Sequence, residues 1–169
     1  MLKRIPTAAD LVVAVDLPKP STICTEEGYI KWMEDRTLWY ARELLGTGVS
    51  IKVERNSLVC GYGIVSKLHK LGYPVFLDLK LVTTIDTAKG HVNDLRVFKP
   101  EMITVSSQCS VAALKELKDG LPKTEILLLT VLTDQHEDRD ASLQAADKAL
   151  AAGLGGLVCA PMEVAMLRK

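Results

Sequence analysis

Short apolar runs rich in β-branched residues alternate along this chain with longer segments in which apolar residues recur at helical spacing. Most of the short runs are continuous, which is typical of strands that are covered on both faces. Six strands are predicted: Leu11–Val15, Val49–Val53, Val75–Leu79, Met102–Val105, Ile126–Leu132 and Gly156–Cys159. Because no series of hairpin turns joins them, the pattern predicts a parallel sheet in an α/β fold.

A helix is predicted after each strand. Thr25 and Ser110 are placed to cap the first and fourth helices, and Pro161 stands in the first turn of the sixth. The second helix is predicted from a stripe formed by Leu58, Ile64, Leu68 and Leu71, and the fifth from a stripe formed by Leu143, Ala146 and Leu150. These stripes are the expected core-facing sides of their helices.

Two architectures fit six strand–helix units in series: an open, doubly wound sheet and a (β/α)8 barrel. The alternation alone does not separate them. A complete barrel usually takes about 200 residues or more and eight strands, whereas this chain has 169 residues and six predicted units. Since no repeat, low-complexity tract or linker interrupts the pattern, residues 1–169 are predicted to form a single domain.

Composition narrows the class of protein. Lysine and arginine together number 21, as do aspartate and glutamate, so no net charge attracts the chain to nucleic acid or to anionic lipid. The apolar run near the N-terminus is interrupted by Asp16, too early for a signal peptide. The four cysteines are widely spaced and contain no C-x-x-C pair, which favours reduced thiols. A soluble, cytoplasmic protein without a membrane partner is expected.

The segment FLDLKLV carries the most informative pair of polar residues. Asp78 and Lys80 are two positions apart on a predicted strand, so their side chains are expected on one face. They lie at the end of an apolar run, where α/β folds place active sites. A lysine held protonated beside a carboxylate can deliver a proton to a developing carbanion. The same spacing also fits a structural ion pair at a strand end.

Two more polar residues occupy matching positions on the first two strands. Asp16 closes the first strand and Lys52 interrupts the second. If the sheet closes, these side chains converge with Asp78 and Lys80 at one mouth. Taken alone, Asp16 also fits a turn and Lys52 an exposed edge strand. No metal site is predicted, because the only dense cluster of candidate ligands, His136–Asp138, consists of consecutive residues in a charged loop.

The segments VAVDLP, IKVERN, FLDLKL, TVLT and AGLGGLVCAP follow one another as in the orotidine 5′-phosphate decarboxylase family. The chain resembles this family from about Leu11 to Arg168. The resemblance implies an α/β fold of the (β/α)8 TIM-barrel type and a lyase of UMP biosynthesis. It implies decarboxylation of orotidine 5′-phosphate to UMP without metal or cofactor, by a homodimer.

The resemblance also implies roles for particular residues. Lys80 matches the lysine that protonates the carbanion at pyrimidine C6, and Asp78 the carboxylate that orients this lysine and crowds the substrate carboxylate. The matching substrate-binding positions are Asp16 and Lys52 at the ribose hydroxyls, Thr87 at a dimer-related site and Thr133 beside the pyrimidine.

Several features depart from the family pattern. Thr83 stands where the family has a second aspartate, and Asp134 where it has a serine that contacts the pyrimidine edge. The pattern ends after the sixth unit, so the phosphate-binding segment of the seventh and eighth units is not recognised. We therefore expect an incomplete barrel. Three alternatives follow: a fragment, a short barrel completed by a partner, and a non-catalytic homologue that binds a ligand or a protein. Exposed strand edges predict a homodimer or a larger assembly.

Overall fold

The computed structural model describes residues 10–130 and 139–168. The chain divides into two compact units, residues 1–78 and 79–169, and the third strand crosses the division. Strands and helices alternate along both units, which confirms the predicted α/β class. None of the described helices is long and apolar enough to cross a membrane.

The first unit contains three parallel strands in the order β1-β2-β3. Strand β1 is Val12–Ala14, β2 is Ser50–Val53 and β3 begins at Val75, its full extent being Val75–Leu81. In the register of this sheet, Val13 pairs with Ile51 and Ile51 with Val75. The continuous apolar runs are explained by burial, because Ile51, Val53 and Leu77 are fully buried.

Helix α1, Glu26–Glu43, begins as its sequence predicts. The Thr25 hydroxyl accepts a hydrogen bond of 3.2 Å from the Gly28 amide, and acidic residues occupy the first turn. The helix is buried along Met33, Thr37 and Ala41, which are spaced four residues apart. The buried Thr37 hydroxyl donates to the Met33 carbonyl over 2.7 Å, so this polar group is satisfied inside the helix.

The single second helix expected from sequence is wrong, because two helices occupy the segment. Helix α2 is Arg55–Cys60 and helix α3 is Gly63–Lys70. Gly61 lies between them at a φ of +68°, a left-handed conformation that glycine adopts at little cost. The break changes the helical register, so Leu58 is 78% exposed while Ile64 and Leu68 are buried.

The second unit contains the end of β3 and three further strands in the order β3-β4-β5-β6. Its strands are β4, Met102–Ser106; β5, Glu125–Leu129; and β6, Gly156–Val158. Strands β4, β5 and β6 are parallel, with Thr104 paired to Leu127 and Leu128 to Leu157. The helices are α4, Ile85–Phe98; α5, Val111–Gly120; α6, Arg139–Ala152; and α7, Val164–Leu167, which follows a 3-10 turn at Pro161–Glu163.

The buried side of helix α6 differs from the predicted stripe. Leu143 is 38% exposed and Leu150 is 77% exposed. The buried residues are instead Ser142, Ala145, Ala149 and Ala152. Both sets have helical spacing, and they lie about 100° apart around the axis. Small side chains on the buried side allow the helix to approach its neighbours closely, which the larger leucines would prevent.

All six predicted strands are present, and the predicted boundaries that fall on described residues differ from the observed ones by no more than two residues. The predicted fifth strand continues to Leu132, and its last two residues lie outside the described part of the chain. Strand β3 extends two residues beyond the predicted end and therefore includes Lys80. The four cysteines are free thiols; Cys109 is buried and Cys24 exposed.

Candidate active site

In the first unit, three charged side chains meet toward the carboxyl ends of successive strands. Asp16 lies two residues beyond β1, Lys52 is in β2 and Asp78 is in β3. The Nζ atom of Lys52 lies 2.9 Å from Oδ2 of Asp78 and 3.4 Å from Oδ2 of Asp16. The ladder between the strands sets this geometry, since the Val15 amide donates to the Lys52 carbonyl over 3.1 Å.

Burial makes this arrangement electrostatically significant. The side chain of Asp78 is 9% exposed, that of Lys52 20% and that of Asp16 37%. Burial by itself lowers the pKa of Lys52, but the hydrogen bond and charge of Asp78, followed by the charge of Asp16, outweigh it. The pKa of Lys52 is therefore raised above its ordinary value of 10.5. Lys52 remains an ammonium group that bridges two carboxylates at neutral pH.

In the second unit, Lys80 has an unusual backbone for a strand residue. Its φ is +46°, and its amide donates a hydrogen bond of 2.8 Å to the hydroxyl of Thr104 on β4. A non-glycine residue in this region costs about 1–2 kcal/mol and persists only when its surroundings impose it. Such residues are enriched at functional sites. The expectation that Asp78 and Lys80 share a face assumed regular strand geometry, and this backbone departs from it.

Three threonines form a compact cluster after β3. Thr84 caps helix α4 and Thr87 lies in its first turn, where the two hydroxyl groups are 2.8 Å apart. The Thr83 hydroxyl donates to Thr87 Oγ1 over 3.0 Å and to the Thr84 carbonyl over 3.1 Å. Thr83 is 7% exposed. A neutral group that is bonded to the helix cap thus occupies the position where the family pattern has a carboxylate.

Sequence reasoning missed two residues that hold the end of β3 in place. Thr104 is 1% exposed, and its hydroxyl accepts a hydrogen bond from the Lys80 amide. Cys109 is also 1% exposed; its Sγ accepts from the Thr83 amide over 3.3 Å and donates to the Leu81 carbonyl over 3.4 Å. The signal for Thr104 was available, because it is a polar residue inside an otherwise apolar strand. Nothing in the local sequence distinguished Cys109.

The structure brings together Asp16, Lys52 and Asp78 in the first unit, and Thr83 and Thr87 in the second. Thr133 and Asp134, also predicted as substrate-binding residues, lie outside the described residues. Within residues 10–130 and 139–168, no group of three or more His, Cys, Asp or Glu side chains is placed to hold a metal ion.

No protein-family model matches the chain. Orotidine 5′-phosphate decarboxylases do match it in sequence. The enzyme of Sphingopyxis alaskensis is 36% identical and that of Novosphingobium aromaticivorans 31% identical, each over 121 residues that cover 64% of this chain and 54% of the relative. The Staphylococcus aureus (strain Newman) enzyme is 32% identical over 123 residues, covering 63% and 54%. The chain therefore spans about half the length of the curated relatives it matches.

Solved structures are similar in fold. An uncharacterized conserved protein from Geobacillus kaustophilus has a TM-score of 0.78 at 23% identity, covering 94% of this chain and 77% of that one. Orotidine 5′-phosphate decarboxylase from Lactobacillus acidophilus has a TM-score of 0.75 at 24% identity, covering 94% and 74%. These similarities confirm the predicted (β/α)-barrel type of fold. The chain thus has the fold of an orotidine 5′-phosphate decarboxylase and is similar in sequence to such enzymes over nearly two thirds of its length.

Proposed function

We propose that this chain carries the reacting centre of an orotidine 5′-phosphate decarboxylase that forms UMP in pyrimidine biosynthesis in the cytoplasm. One observation carries the proposal: Lys52 bridges Asp16 and Asp78 toward the carboxyl ends of three successive parallel strands. Parallel α/β folds place their catalytic groups at these ends. The similarity in sequence to decarboxylases, at 31–36% identity, supports assigning Asp16, Lys52 and Asp78 to the reacting centre.

In the proposed reaction, the bond between pyrimidine C6 and its carboxylate breaks and carbon dioxide leaves. The electron pair of that bond stays on C6, and the ammonium group of Lys80 supplies the proton that forms the new C6–H bond. Asp78 lies beside the substrate carboxylate and orients Lys80. The buried position of Asp78 favours this role, because charge interactions are stronger where water is excluded. The reaction uses neither metal nor organic cofactor.

The remaining predicted residues are assigned to binding. Asp16 and Lys52 contact the ribose hydroxyls in this proposal, and Thr133 and Asp134 contact the pyrimidine. Thr87 contacts the nucleotide bound to a second copy of the chain, and Thr83 supports Thr87 through a hydrogen bond. The proposed working form is therefore a homodimer. The hydrogen bond of 3.0 Å between the Thr83 and Thr87 hydroxyls supports treating these two residues as one group.

A second candidate function is ligand binding without turnover. It is favoured by Thr83, whose hydroxyl is bonded to Thr87 and to the Thr84 carbonyl in place of a carboxylate. Because Thr83 replaces the second aspartate of the family pattern, the proposed catalytic group that contains Asp78 and Lys80 has one negative charge fewer than in that pattern. A protein of this kind would bind UMP but would not decarboxylate orotidine 5′-phosphate.

The test of the proposed reaction is a decarboxylation assay on the full chain and on Lys80→Ala. Lys99→Ala is a matched control. Lys99 has a similar left-handed backbone, with a φ of +53°, and it is the C-cap residue of helix α4 and not a residue of β3. We expect the Lys80 variant to lose about two to four orders of magnitude in kcat, since proton delivery contributes roughly 10²–10⁴-fold. The Lys99 variant should retain activity. Equal turnover by the two variants would exclude Lys80 as the proton donor.

Calorimetric titration with UMP separates the two candidate functions. Binding together with turnover supports the enzyme, and binding without turnover supports the second candidate. If the missing carboxylate is the reason for inactivity, Thr83→Asp should raise turnover while Thr84→Asp, at an exposed neighbouring position, should not.

A further inference from the structure

Glu163 is a buried acidic residue that the proposed reaction does not use. It ends the 3-10 turn after β6, and only 5% of its surface is exposed. Burying a carboxyl group is costly unless hydrogen bonds replace its water shell. Its partners therefore indicate why a glutamate stands at this position.

The carboxyl group of Glu163 binds three separate elements. Its Oε2 atom accepts a hydrogen bond of 2.8 Å from the Ala160 amide, in the segment after β6. The same oxygen lies 3.4 Å from the hydroxyl of Thr130, the residue that directly follows β5. Its Oε1 atom accepts a hydrogen bond from the hydroxyl of Ser142 on helix α6. Thr130 is 2% exposed and Ser142 is fully buried, so water competes little for these bonds.

These bonds continue into a network along the carboxyl ends of β4, β5 and β6. The amide of Thr130 donates to the Val158 carbonyl over 3.1 Å, and the single hydroxyl hydrogen of Thr130 is shared between that carbonyl, at 3.2 Å, and Glu163 Oε2. The Ser107 hydroxyl, just beyond β4, donates to the Thr130 carbonyl over 3.1 Å. Glu163 is the one acidic side chain among these residues. Thr130 lies at the centre of the network, since it contacts Val158, Ser107 and Glu163.

A capping role alone does not explain the residue. The bond from the Ala160 amide is the kind made in a capping box, where an acidic side chain three residues after the cap residue accepts from the cap amide. The contacts with Thr130 and Ser142 do not contribute to that cap. They connect the end of β5 with the first turn of α6, the two places where the chain enters and leaves residues 131–138.

We propose that Glu163 is a positioning residue that holds the carboxyl end of β5 against α6 and the end of β6. This inference rests on the proposed function for its consequence, because the proposed pyrimidine contacts, Thr133 and Asp134, come three and four residues after Thr130 in the chain. A group that holds the attachment points of a binding segment affects ligand affinity without contacting the ligand. Removing the Glu163 carboxyl group should weaken nucleotide binding more than a substitution elsewhere that lowers the folding stability by the same amount.

The experiment compares Glu163→Ala with Thr124→Ala in the full chain. Thr124 is the matched control, because it is also buried in the second unit, donates to the Pro100 carbonyl over 2.9 Å and directly precedes the same strand at its opposite end. UMP affinity is measured by calorimetry, thermal unfolding by circular dichroism, and exchange of the Thr130 and Ala160 amides by NMR. Glu163→Gln keeps a hydrogen-bonding side chain of the same length and serves as the conservative variant.

We expect both alanine variants to lower the melting temperature. Only Glu163→Ala should weaken UMP binding, by about ten- to hundred-fold, and only it should accelerate exchange at Thr130. Glu163→Gln should restore most of the affinity. An unchanged UMP affinity in Glu163→Ala, or an equal loss in Thr124→Ala, would overturn the inference.

The outcomes remain separable from the proposed function. If the unmodified chain does not bind UMP, the proposed function fails and amide exchange decides the positioning role. Faster exchange at Thr130 in Glu163→Ala but not in Thr124→Ala supports it, and equal rates overturn it. If Glu163→Ala does not fold, Glu163→Gln gives the same comparison: a small loss of affinity and faster exchange at Thr130, both absent from Thr124→Ala, support the role, and their absence overturns it.

Discussion

Lys52 Nζ lies 2.9 Å from Asp78 Oδ2, and this ion pair joins two neighbouring parallel strands at a site where the aspartate side chain is only 9% exposed. Lys67 and Glu34 form a second lysine–carboxylate pair in the same unit, with side chains that are 43% and 30% exposed. The two pairs have similar chemistry and different burial. They therefore provide a direct comparison of what a partly buried ion pair contributes.

We expect Lys52→Met to lower the free energy of unfolding by about 1–3 kcal/mol, because Asp78 loses a charged donor where water does not fully replace it. Lys67→Met should cost less than about 1 kcal/mol, since an exposed pair is screened by solvent. Urea unfolding followed by circular dichroism measures both. Equal effects would mean that the Lys52–Asp78 pair is solvated in the folded protein.

The raised pKa of Lys52 predicts a loss of stability in alkali. The folded chain holds this proton more strongly than the unfolded chain, whose lysine titrates near 10.5. The stabilising contribution is thus complete below that pH and is lost as the pH rises through the higher folded value. The difference in unfolding free energy between the unmodified chain and Lys52→Met should shrink from about pH 10 upward. A difference that grows with pH would contradict the sign of the shift.

The hydrogen bond from the Lys80 amide to Thr104 predicts a stability effect and a functional effect. Thr104→Val keeps the side-chain shape but leaves a buried amide without this acceptor, which should cost about 1–3 kcal/mol. Thr124→Val, which removes a buried hydroxyl directly before β5, should cost a similar amount. Only the Thr104 variant should reduce decarboxylation or UMP binding, because only Thr104 contacts Lys80. Equal activity in the two variants would show that the backbone of Lys80 does not depend on Thr104.

The exposed position of Leu150 predicts tolerance at a residue that the helical pattern assigned to the core. Leu150 lines an open groove of ≈ 500 Å³ together with Leu157 and Leu167. Leu150→Gln should change the free energy of unfolding by no more than about 0.5 kcal/mol. Leu117→Ala, at a fully buried leucine of helix α5, should cost about 2–5 kcal/mol. A large loss at Leu150, with a concentration-dependent melting temperature, would show that an associated chain covers this groove.

The positions of the strands could be predicted from sequence because burial on both faces leaves a local signature. Each parallel strand is a continuous apolar run, so Ile51, Val75 and Ile103 indicate their own environment. Polar residues that interrupt or close these runs are conspicuous for the same reason. Asp16, Lys52, Asp78 and Lys80 were therefore predicted to converge, and the first unit brings Lys52 within ion-pair distance of Asp16 and Asp78.

The sides of the helices were less predictable because a helical repeat allows more than one buried face. Leu143 and Leu150 have the spacing of a core stripe, yet Ser142, Ala145 and Ala149 are buried. The close approach of neighbouring elements favours small residues, and this distance is a property of the packed structure. In the same way, the positive φ of Gly61 divides a segment whose apolar pattern fits one helix.

By itself, the sequence determined the positions of the six strands along the chain, the α/β class and the charged residues in and just after the strands, because each depends on local burial and on residues close in the chain. Only the tertiary structure decided the left-handed backbone of Lys80, its hydrogen bond to Thr104, and the joining of Thr130, Ser142 and Glu163. These features depend on contacts between residues 21 to 33 positions apart. No local pattern of polarity encodes such contacts, because they form only when separate strands and helices pack together.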